Sequence, residues 1–155
     1  MNLNVDYIFH ATGTGGTMAG LAAGRKMAES DTKIISITVS PKDEKYLRKV
    51  EKLANDVLAL IKSPAHVTIE EDLHMDTGYY APGYEQPNEA ASEAIRLLAR
   101  TEGLFVDPVY TGKALAGLID YVRSGKVPQG SNVVFWHTGG ATALFAEHEI
   151  LGKLY

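Results

Sequence analysis

The chain has 155 residues, 45% hydrophobic and 22% charged, with 15 Lys and Arg against 19 Asp and Glu and a net charge of −4. This length and composition describe one globular domain with a sizeable core and exclude two ordinary domains. The acidic balance, the lack of an apolar run of about 18 residues and the absence of cysteine exclude, in turn, a nucleic-acid binder, a membrane span, and any disulfide, thiolate metal site or cysteine nucleophile in this chain.

Residues 5–10 read as a buried strand, because Val5, Tyr7, Ile8 and Phe9 form a nearly continuous β-prone run. A glycine-rich turn over 11–17 leads into a helix expected over 16–30, and residues 33–39 (KIISITV) read as a second strand. Ser40 and Pro41 then predict a helix start, with the hydroxyl as cap, proline in the first turn, and Asp43 and Glu44 beside the helix's positive end. Tyr46, Val50, Leu53, Val57, Leu60 and Ile61 continue it in steps of four and three up to Ser63 and Pro64.

Residues 64–87 are too long for a bare connection in a compact domain, which marks the segment for function. A short strand is expected within it over 67–70. Asn88 can cap a helix carrying Ala91, Ala94, Ile95 and Leu98 on one face. Leu104, Phe105 and Val106 predict a brief strand ending at Asp107-Pro108. A helix follows over 112–124, with Leu115, Leu118, Ile119 and Val122 inward. Residues 133–136 form a further strand, ending in His137-Thr138-Gly139-Gly140 before a final helix. The alternation predicts an α/β fold with a mostly parallel sheet and helices on both faces, three-layered and Rossmann-like. Ligands of such sheets sit at the carboxyl ends of strands, where two of these glycine turns fall.

The first turn, His10-Ala11-Thr12-Gly13-Thr14-Gly15-Gly16-Thr17, suits an anion. Its glycines admit a close ligand, and the helix start adds free N–H donors and partial positive charge. The plain alternative is a tight strand-to-helix turn. A P-loop is excluded, because Gly20 is followed by Leu21 and Ala22 rather than Lys and Ser/Thr. A dinucleotide fingerprint fails at Met18, and Thr38, Val39 and Ser40 stand where the ribose-binding acid belongs.

Asp107-Pro108-Val109-Tyr110-Thr111-Gly112-Lys113 lies at another strand mouth. Tyr110 can sit over a ligand or pack on the sheet edge, and Asp107 can cap the helix. Lys113, in a first helical turn, is expected to be solvated rather than to bind a cofactor covalently. The turn from His137 to Thr142 repeats the strand–glycine–helix arrangement. Tyr79, Tyr80 and Tyr84 form either a binding lid or an aromatic anchor for their loop. His10, His66, His74, His137 and His148 lack metal-ligand spacing; His10 and His137 are expected to be structural, and no metal is expected.

Together the stretches HATGTGGTMAGLAAG, PNEAASEAIRLLARTEGLFVDPVYTGKALAGLIDYV and NVVFWHTGGATALFA resemble the D-cysteine desulfhydrase and 1-aminocyclopropane-1-carboxylate deaminase family, which are pyridoxal-phosphate enzymes of fold type II, the tryptophan-synthase-β-like group. The resemblance runs through nearly the whole chain in order; residues 39–76 match least. It implies that Gly13, Thr14, Gly15, Gly16 and Thr17 hold the phosphate of pyridoxal 5′-phosphate. It implies that Thr138 bonds the pyridine nitrogen, with Thr111 nearby, and that Tyr110 and Tyr84 serve as active-site tyrosines on the substrate side. In deaminases, Glu and Leu are implied at positions 111 and 138, where this chain has Thr at both. A carboxylate there favours the protonated ring and a strong electron sink. A neutral hydroxyl leaves a weaker sink, adequate for losing hydrosulfide. The desulfhydrase branch is therefore preferred, with α,β-elimination of D-cysteine to pyruvate, hydrogen sulfide and ammonia.

Family members are implied to be roughly twice this length, with the cofactor-binding lysine in a stretch ahead of the one matched here. The expectation is thus a C-terminal portion of the large cofactor domain, without covalent attachment at the family position and with little turnover alone. A deaminase and a non-catalytic anion-binding or assembly module are the alternatives. The expected partners are a small amino-acid substrate and either a second copy or a separate N-terminal half, with no nucleic acid and no membrane. The opening MNLNVDYIFH lacks the features of a signal peptide, and with the missing cysteines it leads to an expectation of the cytoplasm.

Overall fold

The computed structural model describes residues 4–147. Its elements run β1 (Tyr7–Thr12), α1 (Gly16–Met27), β2 (Lys33–Thr38), α2 (Glu44–Leu60), α3 (Ile69–Asp72), β3 (His74–Asp76), α4 (Glu89–Glu102), α5 (Thr111–Arg123), β4 (Val133–Phe135) and α6 (Ala143–Ala146). The four strands lie in the order β3-β2-β1-β4, and every pair is parallel. β1 is central: Tyr7 to Thr12 pair with Lys33 to Thr38 on one side, and Tyr7 to Phe9 with Val133 to Phe135 on the other.

Strand alternation sorts the side chains onto two faces. Phe9, Ala11 and Ile37 point to the face covered by α5, where they meet Ala114, Leu118 and Tyr121, and the Phe9 and Tyr121 rings meet edge-on at 5.2 Å. α4 packs outside α5 through Ala94, Ile95, Leu115 and Ala116. The other face carries Ile8, His10, Ile34 and Ser36 and is covered by α1, with α2 packed beyond it through Met18, Ala22, Val50, Ala54 and Leu58. His10 is fully buried there. Its Nε2 shares a 2.7 Å hydrogen bond with Ser36 Oγ, and burial pushes the imidazole pKa down, so it stays neutral and links β1 to β2. The three-layer α/β architecture expected from the sequence is present.

Several local expectations differ from the structure; Val122, expected inward on α5, is half exposed. α2 begins at Glu44 with Asp43 as cap, its carboxylate accepting from Tyr46 N at 3.0 Å, so Ser40 is free of capping. The strand expected over 67–70 is instead the turn of α3, closed because Asp72, buried beside Arg25 and Lys26, accepts from Thr68 N; the strand itself is β3. Residues 104–106 form no ladder. Gly103 ends α4 in a left-handed conformation, and the Phe105 carbonyl is taken by His137 Nε2 at 2.9 Å rather than by a strand. Lys113, in the first turn of α5, is not solvated but fully buried, because the tyrosine loop lies over it and its carbonyls take the ammonium. His148 lies outside the described residues.

Candidate functional site

The chain order β1, β2, β3 grows the sheet in one direction, and β4 then returns to the opposite side of β1. Connections leaving β1 and β4 therefore part to opposite faces, and a crevice opens between their carboxyl ends. A cavity of about 830 Å³ lies at this edge, lined by residues that include Gly13, Thr14, Thr17, Tyr84, Tyr110 and Thr138. Ser40, Lys42, Tyr46 and Lys49 complete its α2 side.

The β1 end of the cavity is built for an anion. α1 starts at Gly16 after Gly15, whose φ of 99° is open to glycine and strained for other residues. No side chain caps this helix and its first turn holds no acid, so its leading N–H groups keep their partial positive charge. Lys42 and Lys49 add cationic charge at the rim. Gly13 leaves room where a Cβ would touch Tyr110 at 3.4 Å. This donor set fits a phosphate ester.

Behind the loop stands Tyr46, which periodicity alone assigns to an apolar stripe. Its hydroxyl shares a 2.8 Å hydrogen bond with Thr12 Oγ1, and a Cβ on Gly15 would lie 2.7 Å from Val50 and 3.3 Å from the Tyr46 oxygen. Burial pushes the Tyr46 pKa up. Lys42, Tyr46 and Lys49 escaped the sequence reading as site residues because they lie in the segment least like the family and carry no glycine or strand-end signal, and Ser40, at a strand end, reads as a helix cap.

The opposite side of the cavity, which carries Tyr110, rests on Asp107. This carboxylate is 1% exposed and accepts from Val109 N (2.9 Å), Tyr110 N (2.7 Å), Thr111 N (2.8 Å) and the Thr111 hydroxyl (2.5 Å). Asp107 thus organises the first turn of α5 and aims Tyr110 into the cavity. The Thr111 hydroxyl also accepts from Asp107 N, so Thr111 stands behind the cavity wall rather than in it. The bend after β4 packs on the same carboxylate: a Cβ on Gly140 (φ 89°) would lie 2.6 Å from Asp107 Oδ1. His137, exposed, orders this bend by accepting from Gly139 N through Nδ1, which leaves its Nε2–H to donate to Phe105. Gly15 and Gly16 shape the phosphate-type loop from behind, while Gly13, Thr14 and Thr17 face the space.

The two readings of the tyrosine loop apply to different tyrosines. Tyr79 is an anchor, donating to Asp120 at 2.6 Å, with its ring 6.5 Å from that of Tyr121. Tyr84 reaches the cavity, where its hydroxyl shares a hydrogen bond with that of Tyr110 and the two rings meet edge-on at 5.8 Å. The bond to Tyr110, more than burial, holds the Tyr84 pKa up to about 12, above the ordinary 10.0. Since the folded value lies above the unfolded one, this contribution to stability is complete below pH 10 and is lost as the pH rises toward 12. Difference titration of the unmodified chain against Tyr84→Phe should therefore show a phenol ionising near pH 12; ionisation near 10.0 would mean that the pair is not formed.

Among the described residues no cluster of metal-ligating side chains occurs and no helix is long and apolar enough to cross a membrane. A sequence profile described as pyridoxal-phosphate dependent enzyme matches residues 1–139. The chain is 44% identical over 141 residues to D-cysteine desulfhydrase of Salmonella typhi, covering 89% of this chain and 41% of that protein. It is 42% identical over 150 residues to D-cysteine desulfhydrase of Yersinia enterocolitica serotype O:8 / biotype 1B, covering 95% and 44% respectively. A solved structure described as a crystal structure analysis of the ACC deaminase homologue superposes with a TM-score of 0.84 at 31% identity, over 97% of this chain and 44% of its own. The chain thus spans about two-fifths of the length of these relatives.

Proposed function

This chain belongs to the family of pyridoxal-phosphate dependent enzymes, and from that premise we propose that its cavity holds pyridoxal 5′-phosphate in a lyase that eliminates hydrosulfide from D-cysteine. The observation that carries the reading is convergence: the uncapped start of α1, Thr138 after β4, and the Tyr84–Tyr110 pair meet at one crevice between β1 and β4. In this reading the backbone N–H groups and hydroxyls of residues 13–17 hold the phosphate, with Gly15 and Gly16 setting the bend. Thr138 bonds the ring nitrogen, and Thr111 acts from behind through Asp107. The cofactor, when bound, supplies the electron sink for breaking bonds at the substrate α-carbon. Tyr84 and Tyr110 orient the substrate through their hydroxyls, and the bond to Tyr110 keeps Tyr84 protonated well above neutral pH. The overall reaction is D-cysteine and water to pyruvate, hydrogen sulfide and ammonia.

The chain is the C-terminal part of a large cofactor domain, and turnover belongs to the length that its relatives span. The runner-up, deamination of 1-aminocyclopropane-1-carboxylate, draws support from the structural neighbour's description and is disfavoured by hydroxyls at Thr111 and Thr138. In protein of the relatives' length, sulfide release from D-cysteine should exceed deamination of the cyclopropane acid; the reverse ranking overturns the assignment. Cofactor binding has its own readout, because the chain's single tryptophan, Trp136, directly precedes the bend that bears Thr138. Pyridoxal 5′-phosphate should quench its emission saturably, and pyridoxal without the phosphate should bind at least about tenfold more weakly. Equal binding of the two would refute the phosphate cradle.

The working unit on this reading pairs with a second copy or with the rest of a longer protein. β4 has no outer strand partner among the described residues, and Leu104, Phe105, Trp136 and Phe145 are exposed around it, with the two phenylalanine rings 6.3 Å apart. Light scattering of the chain at high concentration should show mass above the monomer; a monodisperse monomer counts against pairing.

A further inference from the structure

Lys113 is the one buried lysine among the described residues, and it does not line the cavity. Its Nζ donates to two main-chain carbonyls of the tyrosine loop, Gly83 at 2.7 Å and Tyr80 at 3.2 Å, across some thirty residues of chain. Asn88 takes the two neighbouring acceptors, donating through Nδ2 to Ala81 O at 2.6 Å and Tyr79 O at 3.2 Å while its Oδ1 caps α4 through Ala91 N. The segment from Tyr79 to Tyr84 lies in no helix or strand. Four of its carbonyls are thus satisfied by two side chains, each rooted in a helix, in place of a backbone ladder. An ammonium is suited to this: it presents three donors from one point, and charge assistance strengthens each bond. Asp107, six residues earlier and just ahead of α5, supplies the counter-charge.

We propose that Lys113 is a positioning residue: a latch from α5 that fixes the tyrosine loop so that Tyr84 meets Tyr110 at the cavity. Both tyrosines are then referred to one rigid element, since Tyr110 starts α5 and Tyr84 is tied to it one turn further on. The latch deepens the functional reading above, but its central test needs no ligand.

Hydrogen exchange of the full chain carrying Lys113→Met, read peptide by peptide, provides that test. Amides of residues 78–86 should exchange at least about tenfold faster, while those of β1 and β2 stay within about twofold of the unmodified chain. Uniform acceleration of loop and sheet would mean a merely structural lysine, and no acceleration would mean no latch. The chain contains no cysteine, so Lys113→Cys, alkylated with bromoethylamine in denaturant and refolded, restores an ammonium of the same length. It should restore loop protection, and failure to do so overturns the proposal. Should Lys113→Met not fold, the unmodified chain decides: the Lys113 amine should become open to acetylation in the same low-energy opening that exposes the loop amides. Acetylation only on global unfolding, with the loop opening earlier, would refute the latch. Binding of pyridoxal 5′-phosphate is measured alongside; normal loop protection without cofactor binding would sink the functional reading and leave the latch standing.

Discussion

Replacing Asp107 with alanine should cost the fold about 3–5 kcal/mol and disorder the Tyr110 side of the cavity. The carboxylate is buried, and it alone satisfies the amides of Val109, Tyr110 and Thr111 together with the Thr111 hydroxyl. Removing it leaves four donors at the start of α5 without their acceptor and takes away the group on which the Gly140 bend packs. It also strips the nearby counter-charge from Lys113. Asn at this position keeps one acceptor but turns an amide toward the same donors, so Asp107→Asn should lose about 2 kcal/mol. Urea unfolding of the three chains measures both values. A loss below about 1 kcal/mol for Asp107→Ala would show that the amides find other partners, and the account of Tyr110's placement would fail with it. Ligand binding should fall further than stability alone explains, because Tyr110 and the Gly139–Gly140 bend rest on the one side chain.

Gly15→Ala should produce the second largest effect, about 2–4 kcal/mol of destabilisation. Two causes add. A φ of 99° is strained for any residue with a Cβ, and that Cβ would lie 2.7 Å from a methyl of Val50, itself buried against α1. The loop can relieve the contact only by moving away from α2, which breaks the Thr12–Tyr46 bond and shifts the leading amides of α1. Pyridoxal 5′-phosphate quenching of Trp136 should therefore weaken by more than about tenfold, beyond the loss of folded protein. Gly24→Ala is the matched control. Its Cβ meets nothing within 4 Å in the interior of α1, so it should stabilise the chain by about 0.5–1 kcal/mol without touching the quench. If both alanines behave alike, the strain and contact at Gly15 are not what shape the loop.

Much of the fold is legible in the sequence. Alternating apolar runs and amphipathic helices specify a parallel α/β sheet, because only that arrangement covers both faces of such strands. The glycine turns mark the sheet edge where the cavity opens, and the motif order carries the family resemblance that the relatives bear out. The failures are instructive in physical terms. A three-residue apolar run such as Leu104 to Val106 has no strand identity of its own; a partner's backbone must supply it, and here a histidine takes the free carbonyl instead. Ser40 looks like a cap, but Asp43 wins because its carboxylate reaches Tyr46 N, and that releases Ser40 to the cavity.

Local periodicity, glycine placement and helix-start chemistry thus fix the layers and the sheet edge at which the cavity opens. Long-range packing settles which side chains share the cavity and which stand back from it: the passage of Tyr46 to the back of the glycine loop, the Tyr84–Tyr110 contact, the burial of Lys113 under the tyrosine loop, and the withdrawal of Thr111 behind Asp107. Each is a meeting of groups distant in the chain, or a choice among hydrogen-bond partners. Such outcomes are set by the space left once the helices pack, which no local pattern encodes.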